Sequence, residues 1–188
     1  MNEKMKNWLG GVASAVGYDK MHITRAVAYR EVDQWLDMLG SEKLDALEIS
    51  AGWKWRDRKW ASYSEMNWPE HDICKDRMDR QYDLVIADNV WEHLVYPHRA
   101  ACNVHAMLRP GGTLLLVAHD STNIAEGTGG PQDPAGEMSA EDVLADLAGR
   151  EVGVVRAERV AREVMSSDEH GGEERRTAWD CLVRVVRR

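Results

Sequence analysis

The chain has 188 residues, of which 44% are hydrophobic, and it carries a formal net charge of −8. A chain of that length is expected to form one domain around a single core. The acidic balance argues against nucleic acid as a partner, because proteins that bind phosphates need a concentrated basic surface. The three cysteines lie far apart, and no apolar run approaches the roughly 20 residues that cross a bilayer. We therefore expect a cytoplasmic protein with reduced thiols and no membrane partner.

The N-terminal part of the chain contains one helix pattern. Residues 21–39 place apolar side chains on a single stripe at helical spacing, and Gly40 follows as a stop signal. We treat residues 1–40 as a helical cap on a core formed by residues 41–188, so that residues 1–188 make up a single domain.

The core begins with two short strand patterns. The stretch "LDALEIS" at 44–50 is an apolar run that ends in small residues, which predicts a buried strand followed by a sharp turn. The stretch "KWASYSEMNW" at 59–68 combines aromatic and β-compatible residues and predicts a second strand.

Two longer runs predict strands that are covered on both faces. The stretch "YDLVIAD" at 82–88 is almost continuously apolar, as in the central strands of parallel sheets, and "GGTLLLVAHD" at 111–120 repeats the pattern. Between them, a helix is predicted to begin at Pro97 and to close at "RPGG". Strand, helix and strand in this order predict a βαβ unit.

The C-terminal third predicts a loop, a helix and a hairpin. Residues 121–138 are rich in glycine and proline and show no period, which predicts a long loop. "SAEDVLADLAG" predicts a helix with Ser139 as its N-cap. Strand patterns at 151–164 and 177–187, with a polar connection between them, predict an antiparallel hairpin.

This order of elements resembles the class I S-adenosylmethionine-dependent methyltransferases. The segments "YDLVIADNVWEHL" and "LRPGGTLLLVAH" carry most of the resemblance, which spans roughly residues 44–187. It implies an α/β fold with a Rossmann-like, mostly parallel sheet, helices on both faces and a C-terminal antiparallel hairpin. Residues 51–81 are too few for two full crossovers between the strands that the family counts as first and fourth, so one or both helices there must be cut short.

The resemblance implies S-adenosyl-L-methionine as cofactor and assigns its contacts by position. The loop after the first strand, the acid of the second strand, the next loop and the end of the "YDLVIAD" strand supply them. By position these are Glu48, Ser50, Ala51 and Gly52 for the methionine part, Glu65 for the ribose, Asp72 and Ile73 for the adenine, and Asp88 and Asn89 near the reactive methionine centre.

The residue types suit these roles. A carboxylate can accept two hydrogen bonds from a vicinal diol, and an adenine amino group needs an acceptor. Asn67 is an alternative to Glu65, because the register of that strand is not fixed by its sequence. The faces of Trp53 or Trp91 would suit the sulfonium cation.

The first loop departs from the family pattern. "EISAGWKW" keeps Gly52 but has Ser50 and Lys54 where the family has flanking glycines. Two interpretations follow: a reduced cofactor loop, or a plain strand-to-helix corner. The same departure supports an alternative function, a catalytically inactive methyltransferase-like binding or regulatory subunit. A nicotinamide-binding dehydrogenase is disfavoured, because the chain has no G-x-G-x-x-G that opens a helix.

Candidate metal ligands and bases lie at two strand ends. Asp88 and Asn89 at one end, with His119 and Asp120 at the other, have the oxygen chemistry of a magnesium site. Capping of the next helix is the favoured interpretation of Asp88 and Asn89, with His119 as an ordinary loop residue, and we expect no metal. The other histidines lack partners at zinc-site spacing. His119 is the candidate general base by strand position.

We therefore predict methyl transfer to an oxygen, nitrogen or carbon nucleophile of a small-molecule substrate. In-line displacement from a sulfonium is accelerated mainly by proximity and alignment, so a base is needed only when the acceptor must lose a proton. The carboxyl ends of the strands and the loops at 121–138 and 166–176 should form the substrate site. Self-association into a homo-oligomer is left open.

Overall fold

The computed structural model describes residues 26–126, 138–167 and 173–188. Within this part of the chain the helices and strands, in order, are α1 Ala26–Leu39, β1 Asp45–Ile49, β2 Ser62–Met66, β3 Tyr82–Asp88, α2 Pro97–Met107, β4 Leu108–His119, α3 Thr122–Glu126, α4 Ala140–Asp146, β5 Val152–Ser167 and β6 Glu173–Arg187. Short 3-10 helices lie before β1, at Ser41–Lys43, and after β3, at Trp91–His93. None of the described helices has the length and apolar character needed to span a membrane.

The strands of the described residues form one sheet in the order β2-β1-β3-β4-β6-β5. Strands β2, β1, β3 and β4 run parallel, whereas β6 is antiparallel to both β4 and β5. The predicted fold class, a mostly parallel Rossmann-like sheet with a C-terminal antiparallel hairpin, is confirmed. The chain reverses its direction of travel across the sheet between β1 and β3, and ligands of open α/β sheets collect at the carboxyl ends of strands at such a point.

Helices cover both faces of the sheet, because successive residues of its central strands point to opposite sides. Leu84 and Ile86 of β3 belong to the core that contains α1, whereas Val85 and Ala87 belong to the core that contains α2 and α4. The predicted stripe of α1 is buried at Ala28, Val32, Trp35 and Leu36. Residues 21–25, predicted as the start of this helix, lie outside the described residues.

The helix boundaries follow from their capping residues. Gly40, just after α1, has φ +69°, a left-handed conformation that glycine adopts without steric cost. Pro97 opens α2, as predicted. The Ser139 side chain accepts a hydrogen bond from the Asp142 amide, and the Asp142 carboxylate accepts one from the Ser139 amide. This capping box fixes the predicted start of α4.

The connections between β1 and β2 and between β2 and β3 contain no helix. We predicted that one or both helices there would be cut short, but residues 50–61 and 67–81 contain turns and no helix. The strand that the resemblance counts as fourth is the third strand of the described chain. Residues 50–61 and 67–81 number 12 and 15, which is close to the minimum of about a dozen for a parallel crossover, and turns take up that length in both connections.

The predicted loop at 121–138 begins with a helix instead, α3. The Asp120 carboxylate accepts a hydrogen bond from the Thr122 amide at 2.9 Å and caps this helix. The Asn123 side chain exchanges two 2.7 Å hydrogen bonds with the backbone of Trp179. The Asp120 cap is local, whereas the bonds between Asn123 and Trp179 are tertiary and could not have been predicted from periodicity. Residues 127–137 lie outside the described residues.

The "RPGG" segment was predicted to close α2 before the next strand. The helix instead ends at Met107 and β4 starts at the next residue, so that "RPGG" lies within β4. A Cβ on Gly112 would lie 2.9 Å from the carbonyl oxygen of Arg109 and 3.0 Å from that of Tyr82. Glycine is therefore required where this irregular start of β4 meets β3.

The antiparallel hairpin is confirmed, with strands longer than predicted. β5 extends to Ser167 and β6 begins at Glu173, beyond the predicted ranges 151–164 and 177–187. The predicted loop at 166–176 is therefore reduced at both ends, and residues 168–172 lie outside the described residues.

Candidate functional site

The candidate site lies where β1 and β3 end side by side. Ser50 follows β1 with φ 55°, and Asn89 follows β3 with φ 56°. The Ser50 amide donates to the Met66 carbonyl at 2.9 Å, and the Asn89 amide donates to the Val117 carbonyl at 2.8 Å. Left-handed backbone is uncommon outside glycine. Each turn is thus a sharp one that is held by the neighbouring strand.

Two cavities meet at these turns. The larger, of about 490 Å³, has apolar walls that include Ile49, Met66 and Ile73. The smaller, of about 200 Å³, contains the charged side chains Glu48, Lys54 and Asp88. Ser50 and Asn89 line both cavities. The arrangement can hold one elongated ligand with an apolar, planar end and a charged end.

Glu48 organises the loop after β1. Its Oε1 accepts a hydrogen bond from the Gly52 amide at 3.0 Å, and its Oε2 accepts one from the Tyr63 hydroxyl. The side chain is buried. Burial raises the pKa of the Glu48 carboxyl, and the charges of Asp88 and Glu65 act in the same direction. This acid therefore holds the loop in place and also lines the smaller cavity.

The predicted loop residues Ser50, Ala51 and Gly52 form one compact turn. The Ala51 amide donates a hydrogen bond to Asn67 Oδ1 at 2.6 Å, and the Gly52 amide donates one to Glu48 Oε1. A Cβ on Gly52 would meet no atom within 4 Å. The glycine therefore leaves open space in front of the turn.

The two ribose candidates have different environments. Glu65 Oε1 is paired with Arg56 Nε at 2.8 Å, and Glu65 Oε2 accepts from Asn67 Nδ2 at 3.2 Å. The carbonyl oxygen of the Asn67 side chain is engaged by Ala51. Neither Glu65 nor Asn67 is among the residues that line the two cavities. Glu65 remains the better acceptor, since its carboxylate has further lone pairs and is 30% exposed.

Asp72 and Ile73 both line the larger cavity. The Asp72 carboxylate accepts hydrogen bonds from the Cys74 amide at 2.9 Å and from Lys75 Nζ at 2.8 Å. The Lys75 contact holds the pKa of Asp72 below its usual value. Asn103 of α2 donates to the Ile73 carbonyl at 2.8 Å, which ties this loop to the core.

Asp88 and Trp53 line the smaller cavity, whereas Trp91 does not. Asp88 accepts a hydrogen bond from Asn89 Nδ2 at 3.0 Å. Trp91 is 1% exposed and donates to Asp146 at 3.2 Å, so it is a core residue. Of the two tryptophans considered for a cation, only Trp53 lies at a cavity.

His119 lies apart from both cavities. Its Nδ1 is 3.3 Å from Arg162 Nη2, and its backbone amide donates to Glu92 at 3.3 Å. Arg162 is in turn paired with the buried Asp180 at 3.0 Å. A guanidinium has only donors, so Nδ1 acts as the acceptor and the proton of a neutral ring sits on Nε2.

The residues of the magnesium alternative have other structural roles. Asp120 caps α3 through the Thr122 amide, and His119 contacts Arg162. Within the described ranges, no three His, Cys, Asp or Glu side chains group in a way that could hold a metal ion.

Sequence reasoning missed two parts of the smaller cavity. Tyr29 of α1 lines it, and so does Lys54, which was noted only as a departure from the glycine pattern. Lys54 Nζ lies 3.1 Å from Asp33 of α1 and 4.8 Å from the ring centroid of Trp55. The signal that could have found Lys54 is its position two residues after Gly52, directly beyond the turn.

The volume and the lining residues of the two cavities fit S-adenosyl-L-methionine, the cofactor that the resemblance implies. A volume of about 490 Å³ with apolar walls and one carboxylate suits a nucleoside. The mixed charges of the adjoining cavity suit the ammonium and carboxylate of an amino acid. The sharp turns at Ser50 and Asn89 mark the boundary between the two.

Comparison with known proteins identifies one family and several solved structures that share its fold. A family model described as "Methyltransferase domain" matches residues 5–161. The chain is similar to the N-methyltransferase NodS from Bradyrhizobium japonicum WM9, solved with S-adenosyl-L-homocysteine, at 19% identity and a TM-score of 0.58 over 85% of this chain and 86% of that one.

Two further structures have the same fold. A putative methyltransferase from Bacillus halodurans C-125 matches at 10% identity and a TM-score of 0.59, over 81% of this chain and 97% of that one. The YcgJ protein from Bacillus subtilis matches at 10% identity and a TM-score of 0.58, over 85% of this chain and 99% of that one. No curated protein matches the chain. At these identities, the structures show the fold alone.

Proposed function

The chain belongs to the methyltransferase domain family, and on that basis we propose that it is an S-adenosylmethionine-dependent methyltransferase of small molecules. The observation that carries the proposal is the pair of cavities that meet at Ser50 and Asn89. The larger has mainly apolar walls and contains Asp72 and Lys75, and the smaller contains Glu48, Lys54 and Asp88. Their character matches the adenosine and methionine ends of the cofactor. NodS, which has a similar fold, was crystallised with S-adenosyl-L-homocysteine.

We propose that the larger cavity holds the adenosine part. Ile73 and Met66 supply apolar contact for the base, and Asp72 supplies an acceptor for its amino group. Asp72 already accepts from Cys74 and Lys75, but a carboxylate has about four lone-pair sites and can take a further donor. Glu65 would turn toward the ribose hydroxyls in competition with its exposed pair to Arg56.

The smaller cavity is proposed to hold the methionine part, with the methyl group near Asp88 and Asn89. When bound, the cofactor supplies a methyl group on a sulfonium, which an aligned nucleophile can attack directly. The contribution of this chain would be to hold both reactants in line and to exclude water. His119 would donate rather than accept at Nε2 as long as it contacts Arg162, so proximity and alignment are the main proposed source of acceleration.

The substrate is proposed to be a small molecule with an oxygen, nitrogen or carbon nucleophile. The net charge of −8 disfavours a polyanion such as nucleic acid. The cofactor part of the proposal is separate from the substrate part, so each can be tested without the other.

Isothermal titration of the protein with S-adenosylhomocysteine, followed by an assay of its release from S-adenosylmethionine with panels of phenols, amines and carbon acids, tests the proposal. We expect a micromolar Kd, which corresponds to about −8 kcal/mol, and turnover with one class of acceptor. Binding without turnover in any panel would favour the alternative, an inactive binding or regulatory subunit. Absence of binding would overturn the proposal.

A further inference from the structure

The smaller cavity contains charges of both signs in a defined arrangement. Glu48 and Asp88 come from the ends of β1 and β3, and Lys54 comes from the loop beyond Gly52. Among the described residues that line this cavity, Lys54 supplies the basic side chain. A space of about 200 Å³ that is lined by two carboxylates and one ammonium is complementary to a zwitterion.

Lys54 is held in place by α1. Its ammonium lies 3.1 Å from Asp33 Oδ2 and over the aromatic rings of Trp55 and Tyr29, at 4.8 and 5.5 Å from their centroids. The side chain is 27% exposed. An ammonium has three donors, and Asp33 takes one of them. The remaining donors can serve a carboxylate that enters the cavity.

The acidic side of the cavity is also fixed. Glu48 is buried and bound by the Gly52 amide and the Tyr63 hydroxyl, and Asp88 is oriented by Asn89. A cation near these carboxylates gains attraction in a partly dry site. The carboxylates and the ammonium that line the cavity therefore offer oppositely charged partners for the two ends of an α-amino acid.

We infer that Lys54 is a specificity-determining residue that binds the α-carboxylate of the cofactor's methionine end, while the Glu48 and Asp88 side of the cavity faces its α-ammonium. The inference rests on the proposed function. This role would account for the lysine at a position where the family that the chain resembles has a glycine. The charged contact would select ligands that carry a complete amino acid.

The wild-type protein already gives a test. We expect it to bind S-adenosylhomocysteine at least about tenfold more tightly than S-adenosyl-3-thiopropylamine, the same molecule without its carboxylate, because a charge-assisted hydrogen bond contributes about 1.5–3 kcal/mol. 5′-Methylthioadenosine, which lacks the whole amino acid, should bind no better than that amine. Equal affinity for the first two ligands would overturn the inference.

The variant Lys54→Met separates this role from a structural one. It should weaken S-adenosylhomocysteine binding by about 10- to 100-fold and change the affinity for the decarboxylated amine and for 5′-methylthioadenosine by less than about threefold. Lys59→Met, at an exposed lysine of the same loop, is the matched control and should leave all three affinities unchanged. Asp33→Asn removes the negative charge beside Lys54 and should keep the preference for the carboxylate.

The outcomes separate the two proposals. Equal loss for all three ligands in Lys54→Met would mean that Lys54 only shapes the loop, and no loss for any would mean that the carboxylate binds elsewhere; either overturns the inference. If the wild-type protein binds none of the three, the proposed cofactor is wrong. If Lys54→Met does not fold, Lys54→Gln and the wild-type comparison decide the question.

Discussion

Ser50 and Asn89 adopt the same left-handed conformation, with φ 55° and 56°, at the ends of adjacent parallel strands. Both line both cavities. A side chain with a branched Cβ is strongly disfavoured in this region of backbone space. The geometry of the site therefore depends on two residues that tolerate positive φ.

Ser50→Val should lower the free energy of unfolding by about 1–2 kcal/mol, because a β-branched side chain is sterically strained in the left-handed conformation. Ser50→Gly, the matched variant, should keep or raise stability, since glycine adopts positive φ freely. Urea denaturation of both proteins measures the difference. Equal stability of the two variants would contradict the conformation assigned to Ser50.

The stability of the protein should depend on pH through Glu48. Burial raises the pKa of this carboxyl in the folded protein above the unfolded value near 4.5. Its contribution to stability is thus fully present below pH 4.5 and is lost as the pH rises through the folded pKa.

Glu48→Gln removes this titration but keeps a hydrogen-bond acceptor for Gly52. Relative to the wild type, the variant should become progressively more stable as the pH rises from about 4.5 through the raised pKa of the folded protein. Unfolding free energies of both proteins across that range give the comparison. A difference that does not change with pH would mean that Glu48 titrates normally.

Glu65→Ala should weaken binding of S-adenosylhomocysteine by about 1.5–3 kcal/mol if the carboxylate holds the ribose diol. Asn67→Ala should instead cost stability, because Asn67 Oδ1 accepts the Ala51 amide. Titration calorimetry and thermal unfolding of both variants distinguish these effects. Loss of affinity in Asn67→Ala at unchanged stability would assign the ribose contact to Asn67.

Arg56→Gln provides a further check on Glu65. The Arg56–Glu65 pair is exposed, with side chains 54% and 30% accessible, so its loss should change stability by less than about 1 kcal/mol. Cofactor affinity should stay equal or rise by up to about fivefold, because the carboxylate is released from its competitor. A marked fall in affinity would show that Arg56 is itself part of the binding site.

In contrast to the exposed Arg56–Glu65 pair, the buried Arg162–Asp180 pair should contribute strongly to stability. Its side chains are 5% and 0% exposed, so Asp180→Asn leaves a buried guanidinium without its counter-charge. We expect a loss of about 3–5 kcal/mol in unfolding free energy, measured by denaturation. A loss below 1 kcal/mol would mean that water reaches this pair.

The fold could be predicted from sequence where the signal, hydrophobic periodicity or a capping residue, lies within the element itself. β3, α2, the capping box at Ser139 and the terminal hairpin all follow from such signals. The short helix α3 could not, because the bonds that hold it join Asn123 to Trp179, which is far away in sequence.

The site was predictable to a similar degree. The turn at Ser50 and the strand end at Asp88 mark the place where the sheet order changes, so position alone brings Glu48, Ser50, Gly52, Asp88 and Asn89 together. The position of Lys54 at the smaller cavity was not predictable, because it depends on α1 placing Asp33 and Tyr29 beside the loop. His119 was chosen by strand position, which carries no information on its contact with Arg162.

The most direct test of the central claim is a crystal structure of the protein with S-adenosylhomocysteine. Adenine should lie in the larger cavity against Ile73 with its amino group at Asp72. The sulfur should lie between Ser50 and Asn89, and the amino acid should occupy the smaller cavity with its carboxylate at Lys54. A ligand bound away from the carboxyl ends of β1 and β3, or bound there with the nucleoside and amino-acid ends exchanged, would contradict it.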